Sequence, residues 1–382
     1  MLALVLQGGG ARGAHQAGVI KALLESGYRF NAVCGTSIGA LNGCMLAQGE
    51  FNRCLDLWQN VDVSKIFDFN DAEAQKLARG EAGWGTYAYL ALKGAGSLLS
   101  GGLDTAKIRA LIEEYVDEQK LRASSVDFGF MTYNLTKMQP NPYWKETVPQ
   151  GKLTDYIMAS ANFPLFKGLK IDDTKYTDGG VYANLPLDMA IKRGYNDIIA
   201  VTTKPVKQRE FEPGINVKYI QPVEKPSIML NFTGESARNS LKIGYLDGIK
   251  AITGLKGGRL YIRGLDFEAL EAEILRLPQD FWIDTAALLG IKLYQSRAIN
   301  LVSFATALAA LLKIKAYQSA GEVFLALVEK VALSIKEQGG FDNLRLLTFN
   351  QLVAEVYGKT RCAENPAKEL NCFLVFARYW QA

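Results

Sequence analysis

Ser37 is the first residue whose surroundings suggest chemistry, because it lies in the glycine-flanked segment Gly35 to Gly39 (GTSIG). An apolar run ends at Gly35 and a helix-compatible run of small residues begins after Gly39, so Ser37 is expected where a strand passes into a helix. A G-x-S-x-G nucleophile elbow needs this context, since only glycines leave room beside so tight a turn. The alternative is a glycine-lined helix start in which Ser37 is only an N-cap.

A glycine-rich loop, Gly8-Gly9-Gly10-Ala11-Arg12-Gly13, follows an apolar strand predicted at 2–6. It matches the dinucleotide pattern G-x-G-x-x-G, which also requires an acidic residue at the end of the second strand. That strand ends instead in Gly35-Thr36-Ser37, which disfavours a dinucleotide site. We interpret the loop as an oxyanion hole, whose backbone N–H groups would stabilise a tetrahedral intermediate; a plain tight turn is the alternative.

Two side chains near these glycines have open roles. Arg12 could bind an anionic headgroup or hold the loop, or it could be an exposed arginine at a helix start. His15 is the only histidine of the chain and falls in the helix predicted from Ala14 to Ser26. Its side chain should lie along the flank of that helix, away from Ser37, so we expect a packing or capping histidine that is dispensable for chemistry.

Asp178 is the carboxylate best placed to act as a base. It follows a strand predicted at 175–177 and precedes Gly179 and Gly180. A serine hydroxyl is a weak nucleophile without an adjacent base, and burial beside apolar residues such as Phe163 would raise the pKa of Asp178 towards neutrality. An Asp-Gly hairpin turn or an Asx-turn is the alternative reading.

The elements around these residues follow the order strand, loop, helix, strand, turn, helix. That order implies a parallel sheet with helices on its faces. Residues 50–102 are expected to be helical and irregular; they could form a mobile cover over the site, but the sequence does not show this. After Gly264 helical periodicity dominates, which predicts an all-helical region over 265–382. Further helices are expected from Asp104 or Thr105 and at 155–161, and further strands at 126–130, 197–203, 217–222 and 259–263.

Composition bounds the class of protein. The chain has 382 residues, 49% hydrophobic and 21% charged, with a formal net charge of +4. It lacks a basic run with interleaved aromatics, so a nucleic-acid partner is not expected. One histidine and five scattered cysteines make neither a zinc site nor a disulfide framework, and we expect no metal or cofactor. The longest apolar run, 301–312, is too short to span a bilayer and no leader is evident, so a cytoplasmic location is expected, with contact at a membrane surface left open.

Taken together, these motifs resemble the patatin-like phospholipases. The three motifs of that family occur in order at Gly8 to Gly13, Gly35 to Gly39 and Asp178-Gly179-Gly180, with similar flanks at Ala159 to Pro164 and Asn184-Leu185-Pro186. The resemblance covers about residues 1–262 and is absent from 265–382. It implies an α/β fold of three α/β/α layers with a mainly parallel sheet in a domain over 1–264. The helical region over 265–382, whose role is unknown, lies outside the resemblance.

The resemblance also implies a function. Ser37 would be the nucleophile and Asp178 the base of a dyad that hydrolyses fatty-acyl esters, with phospholipids or related lipids as substrates. Oxyanion donors would be N–H groups near Gly9, Gly10 and Ala11, and Gly35, Gly39, Gly179 and Gly180 would shape the motifs. An acyltransferase that passes the acyl group to a lysolipid or another alcohol is one alternative, and a non-catalytic lipid-binding scaffold is another. The sequence leaves the oligomeric state open.

Overall fold

The computed structural model describes residues 1–62, 66, 105–164, 166–363 and 366–381. These residues divide into two compact units, Met1–Ile252 and Thr253–Ala382. Most of the segment 50–102, which the sequence predicts to be helical and irregular, lies outside the described residues.

The first unit contains an eight-stranded sheet. Hydrogen-bonded neighbours follow the order β5-β6-β3-β2-β1-β7-β8, and β4 also pairs with β3. β3, β2, β1, β7 and β8 run parallel to one another, whereas β4 and β6 run antiparallel to β3, so the predicted mainly parallel sheet is confirmed. The strands are β1 (Leu2–Leu6), β2 (Ala32–Thr36), β3 (Asp127–Asn134), β4 (Gln139–Trp144), β5 (Leu169–Ile171), β6 (Thr174–Asp178), β7 (Asp197–Val201) and β8 (Asn216–Ile220).

Helices cover both faces of this sheet. Alternate residues of β1 point to opposite faces: Leu4 and Leu6 belong to one apolar core, and Ala3 and Val5 belong to another. A strand buried on both faces is typical of a three-layer α/β/α fold, which the structure therefore confirms. The helices described in this unit are α1 (Gly13–Glu25), α2 (Ile38–Ala47), α3 (Phe51–Gln59), α4 (Ala106–Tyr115), α5 (Glu118–Ala123), α6 (Leu153–Ser160), α7 (Leu187–Lys192) and α8 (Gly234–Thr253).

The ends of β2 and β6 meet alongside β3. β4 pairs with β3 along 129–134, which occupies one edge of that stretch of strand. The other edge pairs first with β2, up to Thr36 opposite Met131, and then with β6, from Asp178 opposite Thr132. Because β2 and β6 run in opposite directions, their last residues arrive at adjacent positions of β3.

β4 was not predicted from the sequence. Its six residues include Pro140 and Pro142, which cannot donate to a strand ladder and argue against a central strand. β4 pairs only with β3 among the described strands, so the prolines lie where a missing donor is tolerated.

The second unit is helical apart from one pair of two-residue strands. β9 (Tyr261–Ile262) pairs in parallel with β10 (Leu346–Leu347), so 261–262 belongs to this unit although the sequence places the boundary at 264. The core is apolar and rich in aromatic side chains, among them Phe281, Trp282 and Phe304. The helices are α9 (Phe267–Arg276), α10 (Gln279–Leu289), α11 (Arg297–Leu312), α12 (Ala320–Glu337), α13 (Phe349–Thr360) and α14 (Lys368–Trp380). Among the helices described, none has both the length and the apolarity needed to cross a membrane.

Candidate active site

Ser37 forms the turn between β2 and α2, as the sequence predicts. Its φ of +56° lies in the left-handed region, which non-glycine residues seldom occupy. A Cβ on Gly35 would lie 2.3 Å from the carbonyl carbon of Gly39, and one on Gly39 would lie 2.4 Å from the Leu6 carbonyl oxygen. Both glycines are therefore required by close packing around the turn. The Ser37 side chain makes no capping hydrogen bond to α2, which argues against a simple N-cap role.

Ser160 supports this turn from α6. Its hydroxyl donates to the carbonyl oxygen of Met131 at 2.7 Å and accepts the backbone N–H of Ser37 at 3.1 Å. The Ser37 main chain is thus tied to β3. Reasoning from the sequence did not assign Ser160 a role, although it lies in the Ala159 to Pro164 segment that carries part of the family resemblance.

Asp178 lies beside Ser37 because the two strand ends meet. Asp178 is 4% exposed, it lines the same cavity as Ser37, and its carboxylate accepts the Gly180 N–H at 2.7 Å. Burial raises the pKa of Asp178 to about 6, against the opposing effect of the nearby Ser37 hydroxyl and the Gly180 N–H. The direction is the one expected from the sequence, and it makes the carboxyl group a competent proton donor as well as an acceptor near neutral pH.

Two N–H groups of the glycine loop have no acceptor among the described residues: those of Gly9 and Gly10. The N–H of Gly8 donates to Asn184, that of Arg12 to Gly9, and that of Gly13 to the loop itself. The Ala11 N–H, which the resemblance includes among the donors, is occupied by the Met229 carbonyl at 2.8 Å. Fewer N–H groups are therefore free to act as oxyanion donors than the sequence predicts for the loop.

Gly10 also has a conformational reason to be glycine. Its φ is +56°, and a Cβ there would lie 2.2 Å from the Met229 carbonyl oxygen. Arg12 contacts the same distant segment, since its Nε donates to the Ser227 carbonyl at 3.1 Å. Arg12 thereby links the loop to 227–229, which agrees with the loop-holding role considered for it.

His15 lies away from these groups. It is fully buried in α1, and its Nε2 is 2.8 Å from Oδ2 of Asp247 in α8. His15 does not line the cavity that contains Ser37 and Asp178. Its contacts are those of a residue that joins two helices, in line with the packing role expected for it.

A cavity of about 360 Å³ opens at Ser37 and Asp178. Gly8, Gly9 and Gly10 form part of its rim. Most of its wall is apolar and comes from α2, α3, α4 and several loops, including Leu41, Met45, Trp58, Leu111, Phe163 and Leu230. Its volume is in the range of small-ligand pockets, and its wall suits a hydrocarbon chain. Among the residues that the structure describes, no cluster of three or more His, Cys, Asp or Glu could hold a metal ion.

Several known proteins are similar in sequence to parts of this chain. Probable lipid hydrolase 463L of Invertebrate iridescent virus 6 is 36% identical over 81 residues, 19% of this chain and 28% of its own length. Lysophospholipase nte1 of Aspergillus terreus is 60% identical over 45 residues, 12% of this chain and 3% of its own length. The uncharacterized protein YqhO of Bacillus subtilis is 28% identical over 227 residues, 56% of this chain and 74% of its own length. The chain thus spans less than a third of the first two.

Among solved structures, VipD from Legionella pneumophila aligns with 99% of this chain and 90% of its own, at 15% identity and a TM-score of 0.42, too low to decide the fold. A family model gives a more direct result, because the patatin-like phospholipase model matches residues 4–191, a range that contains Ser37, Asp178 and the glycine loop. The chain therefore contains a patatin-like phospholipase domain, which spans residues 4–191.

Proposed function

We propose that this chain is a lipid acyl hydrolase of the phospholipase A or lysophospholipase type, with Ser37 as nucleophile and Asp178 as base. The observation that carries the proposal is that Ser37 and the buried carboxylate of Asp178, whose pKa is raised to about 6, lie at adjacent strand ends and line the same cavity. Two unoccupied N–H groups border the same cavity, at Gly9 and Gly10. Nucleophile, base and oxyanion donors are the three parts that acyl transfer through serine requires.

In the proposed reaction the Ser37 oxygen attacks the ester carbonyl carbon while Asp178 takes the hydroxyl proton. The carbonyl oxygen becomes an oxyanion that accepts hydrogen bonds from the N–H groups of Gly9 and Gly10. When the tetrahedral intermediate collapses, the bond to the leaving alcohol breaks and Asp178 returns its proton to that oxygen. Water then attacks the acyl-enzyme with Asp178 again as base, which releases the fatty acid and restores Ser37.

The cavity supports a fatty-acyl substrate. Its wall is apolar beyond the catalytic groups, and its volume of about 360 Å³ suits one hydrocarbon chain better than two. We therefore propose that the cavity binds the acyl chain of a phospholipid, a lysophospholipid or a related ester, and that the headgroup stays outside. The name of the relative nte1, a lysophospholipase, is in keeping with this substrate class.

The test compares Ser37→Ala and Asp178→Asn with the unchanged protein. We expect each variant to lose at least about a thousandfold in kcat on a soluble p-nitrophenyl ester, because both belong to one catalytic unit. For the same reason the double variant should be about as inactive as either single one. Labelling by a fluorophosphonate probe should disappear in Ser37→Ala.

Matched controls are Ser26→Ala and Asp173→Asn, which change the same residue types at exposed positions. Both should keep normal turnover and labelling, with thermal melting used to show that every variant is folded. Near-normal turnover of folded Asp178→Asn would refute the assignment of the base. Labelling without any release of fatty acid from phospholipid or lysophospholipid vesicles would refute the lipid hydrolase.

A further inference from the structure

The second unit exposes an apolar surface inside a stretch of chain without acidic residues. From Thr285 to Gly321 the sequence contains Lys292, Arg297, Lys313 and Lys315 but no Asp or Glu. The same stretch holds four of the large apolar side chains that are more than a third exposed: Tyr294 at 46%, Ile299 at 51%, Val302 at 63% and Tyr317 at 38%.

These side chains lie on α11 or in the segments next to its two ends. Ile299 and Val302 are three residues apart on that helix, and Thr306 follows one turn later on the same face. The Thr306 hydroxyl is 3.1 Å from the hydroxyl of Tyr317. At the other end of the helix, the backbone N–H and carbonyl of Tyr294 form hydrogen bonds of 2.8 and 2.9 Å with the side chain of the buried Asn300. The two tyrosines therefore lie near opposite ends of α11.

We propose that this surface, formed by Tyr294, Ile299, Val302 and Tyr317 with the neighbouring lysines, docks onto a membrane that contains anionic lipids. Aliphatic side chains can enter the boundary between headgroups and acyl chains, where tyrosines are also favoured. Lysines at such a surface are attracted to anionic headgroups. A second copy of the chain is a poorer partner, because a self-complementary contact would bring surfaces of like charge together.

Flotation of the full chain with vesicles tests this proposal. Binding is expected to vesicles of one part phosphatidylserine to three parts phosphatidylcholine, and weaker binding to phosphatidylcholine alone. Lys313→Glu with Lys315→Glu should lower partitioning onto anionic vesicles at least about tenfold. Ile299→Asp with Val302→Asp should lower it on both kinds of vesicle, since insertion of the apolar pair is lost.

Lys359→Glu with Arg361→Glu makes the same change in net charge at exposed positions outside the surface and should leave flotation unchanged. Equal flotation of all three double variants would overturn the proposal. A concentration-dependent dimer without vesicles, lost in Ile299→Asp with Val302→Asp, would instead identify a second copy as the partner. Turnover of a soluble ester should be unaffected in every variant, so this test is independent of the proposed catalytic function.

A second observation concerns the Gly8 carbonyl, which accepts two side-chain donors. The Thr203 hydroxyl is 2.8 Å from it and the Asn184 amide is 3.3 Å from it. The Thr203 hydroxyl is also 3.1 Å from Oε1 of Gln7, which accepts the Thr203 N–H at 2.8 Å. The hydroxyl has a single proton, and the Gly8 carbonyl is the nearer of its two acceptors. Thr203 is buried, and it follows β7, outside the range matched by the family model.

The hydrogen bond to Gly8 determines where the next N–H points. A trans peptide is planar, so the carbonyl of Gly8 and the N–H of Gly9 face opposite directions. Gly8 and Gly9 line the cavity and Thr203 does not. A carbonyl held towards Thr203 therefore directs the Gly9 N–H towards the cavity. The loop lies so close to Thr203 that a Cβ on Gly9 would be 2.5 Å from its hydroxyl oxygen.

We infer that Thr203 is a positioning residue for the oxyanion donor Gly9, an inference that rests on the proposed hydrolase function. Thr203→Val keeps the shape of the side chain but removes the donor. We expect it to lower kcat about tenfold to a hundredfold with little change in KM, because the Gly9 N–H matters most in the transition state. Thr203→Ser restores the donor and should recover most of that loss.

Thr202→Val is the matched control, since the Thr202 hydroxyl is buried and has no hydrogen-bond partner among the described residues. It should keep normal kcat. A trifluoromethyl ketone, which forms an oxyanion on Ser37, should bind Thr203→Val more weakly in proportion to kcat/KM. Normal kcat in folded Thr203→Val, or no recovery in Thr203→Ser, would overturn the inference. Undiminished hydrolysis by Ser37→Ala is a separate result, which would refute the proposed function itself.

Discussion

At the scale of residues, the titration of Asp178 should control both activity and stability. The pKa of this carboxyl group is raised by burial to about 6, above its ordinary value of 3.8. As the proposed base it must be ionised in the free enzyme, so kcat/KM on a soluble ester should rise with pH through about 6 and then level off. A profile that is flat from pH 4 to 8 would contradict this assignment.

Stability supplies an independent check on the same group. Because folding raises the pKa of Asp178, the native state favours the protonated carboxyl group. The contribution of Asp178 to the free energy of unfolding is therefore fully present below about pH 4 and is lost as pH rises through 6. The shift corresponds to about 3 kcal/mol. Asp178→Asn cannot ionise, so its free energy of unfolding relative to the unchanged protein should increase by up to that amount between pH 4 and 7. Urea titrations of both proteins at several pH values measure this difference.

At the scale of elements, His15 joins α1 to α8 through its 2.8 Å contact with Asp247. His15→Gln should therefore destabilise the fold, by about 1–3 kcal/mol, because a buried hydrogen bond is disturbed. It should retain most of its turnover on a soluble ester, since His15 lies outside the cavity. Thermal melting and initial rates measure the two effects separately.

Asp247→Asn is the companion variant and should behave in the same way. The pH profile of kcat/KM should be the same in His15→Gln as in the unchanged protein. A loss of about a thousandfold or more in folded His15→Gln would show that a histidine is the base and that the Ser37–Asp178 assignment is false.

At the scale of the whole molecule, the two units offer different properties. The first unit brings the candidate catalytic groups and an apolar cavity together, and it extends beyond the matched family range to Ile252. The second unit carries the surface proposed to dock onto membranes. For the proposed lipid acyl hydrolase, whose substrates would be held in a bilayer, a surface with affinity for anionic lipids would raise the local substrate concentration.

Local constraints made much of the site predictable from the sequence alone. The turn at Ser37 requires Gly35 and Gly39 within two positions of it, so the motif itself indicates the elbow. Strand β1 is likewise predicted by a short apolar run, and helix α1 by the spacing of its apolar residues and by the glycine that follows its end. Because the chain has a single histidine, its composition already favoured a carboxylate as the base. In contrast, β4 was not predicted, because its prolines argue against a strand. It pairs along the edge of β3, a position that depends on the rest of the sheet.

Only the tertiary structure decided which atoms meet. Asp178 reaches Ser37 because β2 and β6 end at adjacent positions of β3, a matter of strand register that spacing along the chain does not encode. The Ala11 N–H is unavailable as an oxyanion donor because it donates to the Met229 carbonyl. Thr203, 195 residues along the chain from Gly8, contacts the Gly8 carbonyl. A motif specifies backbone conformation within a few residues, whereas hydrogen-bond partners and the burial that raises a pKa depend on segments brought together only by folding.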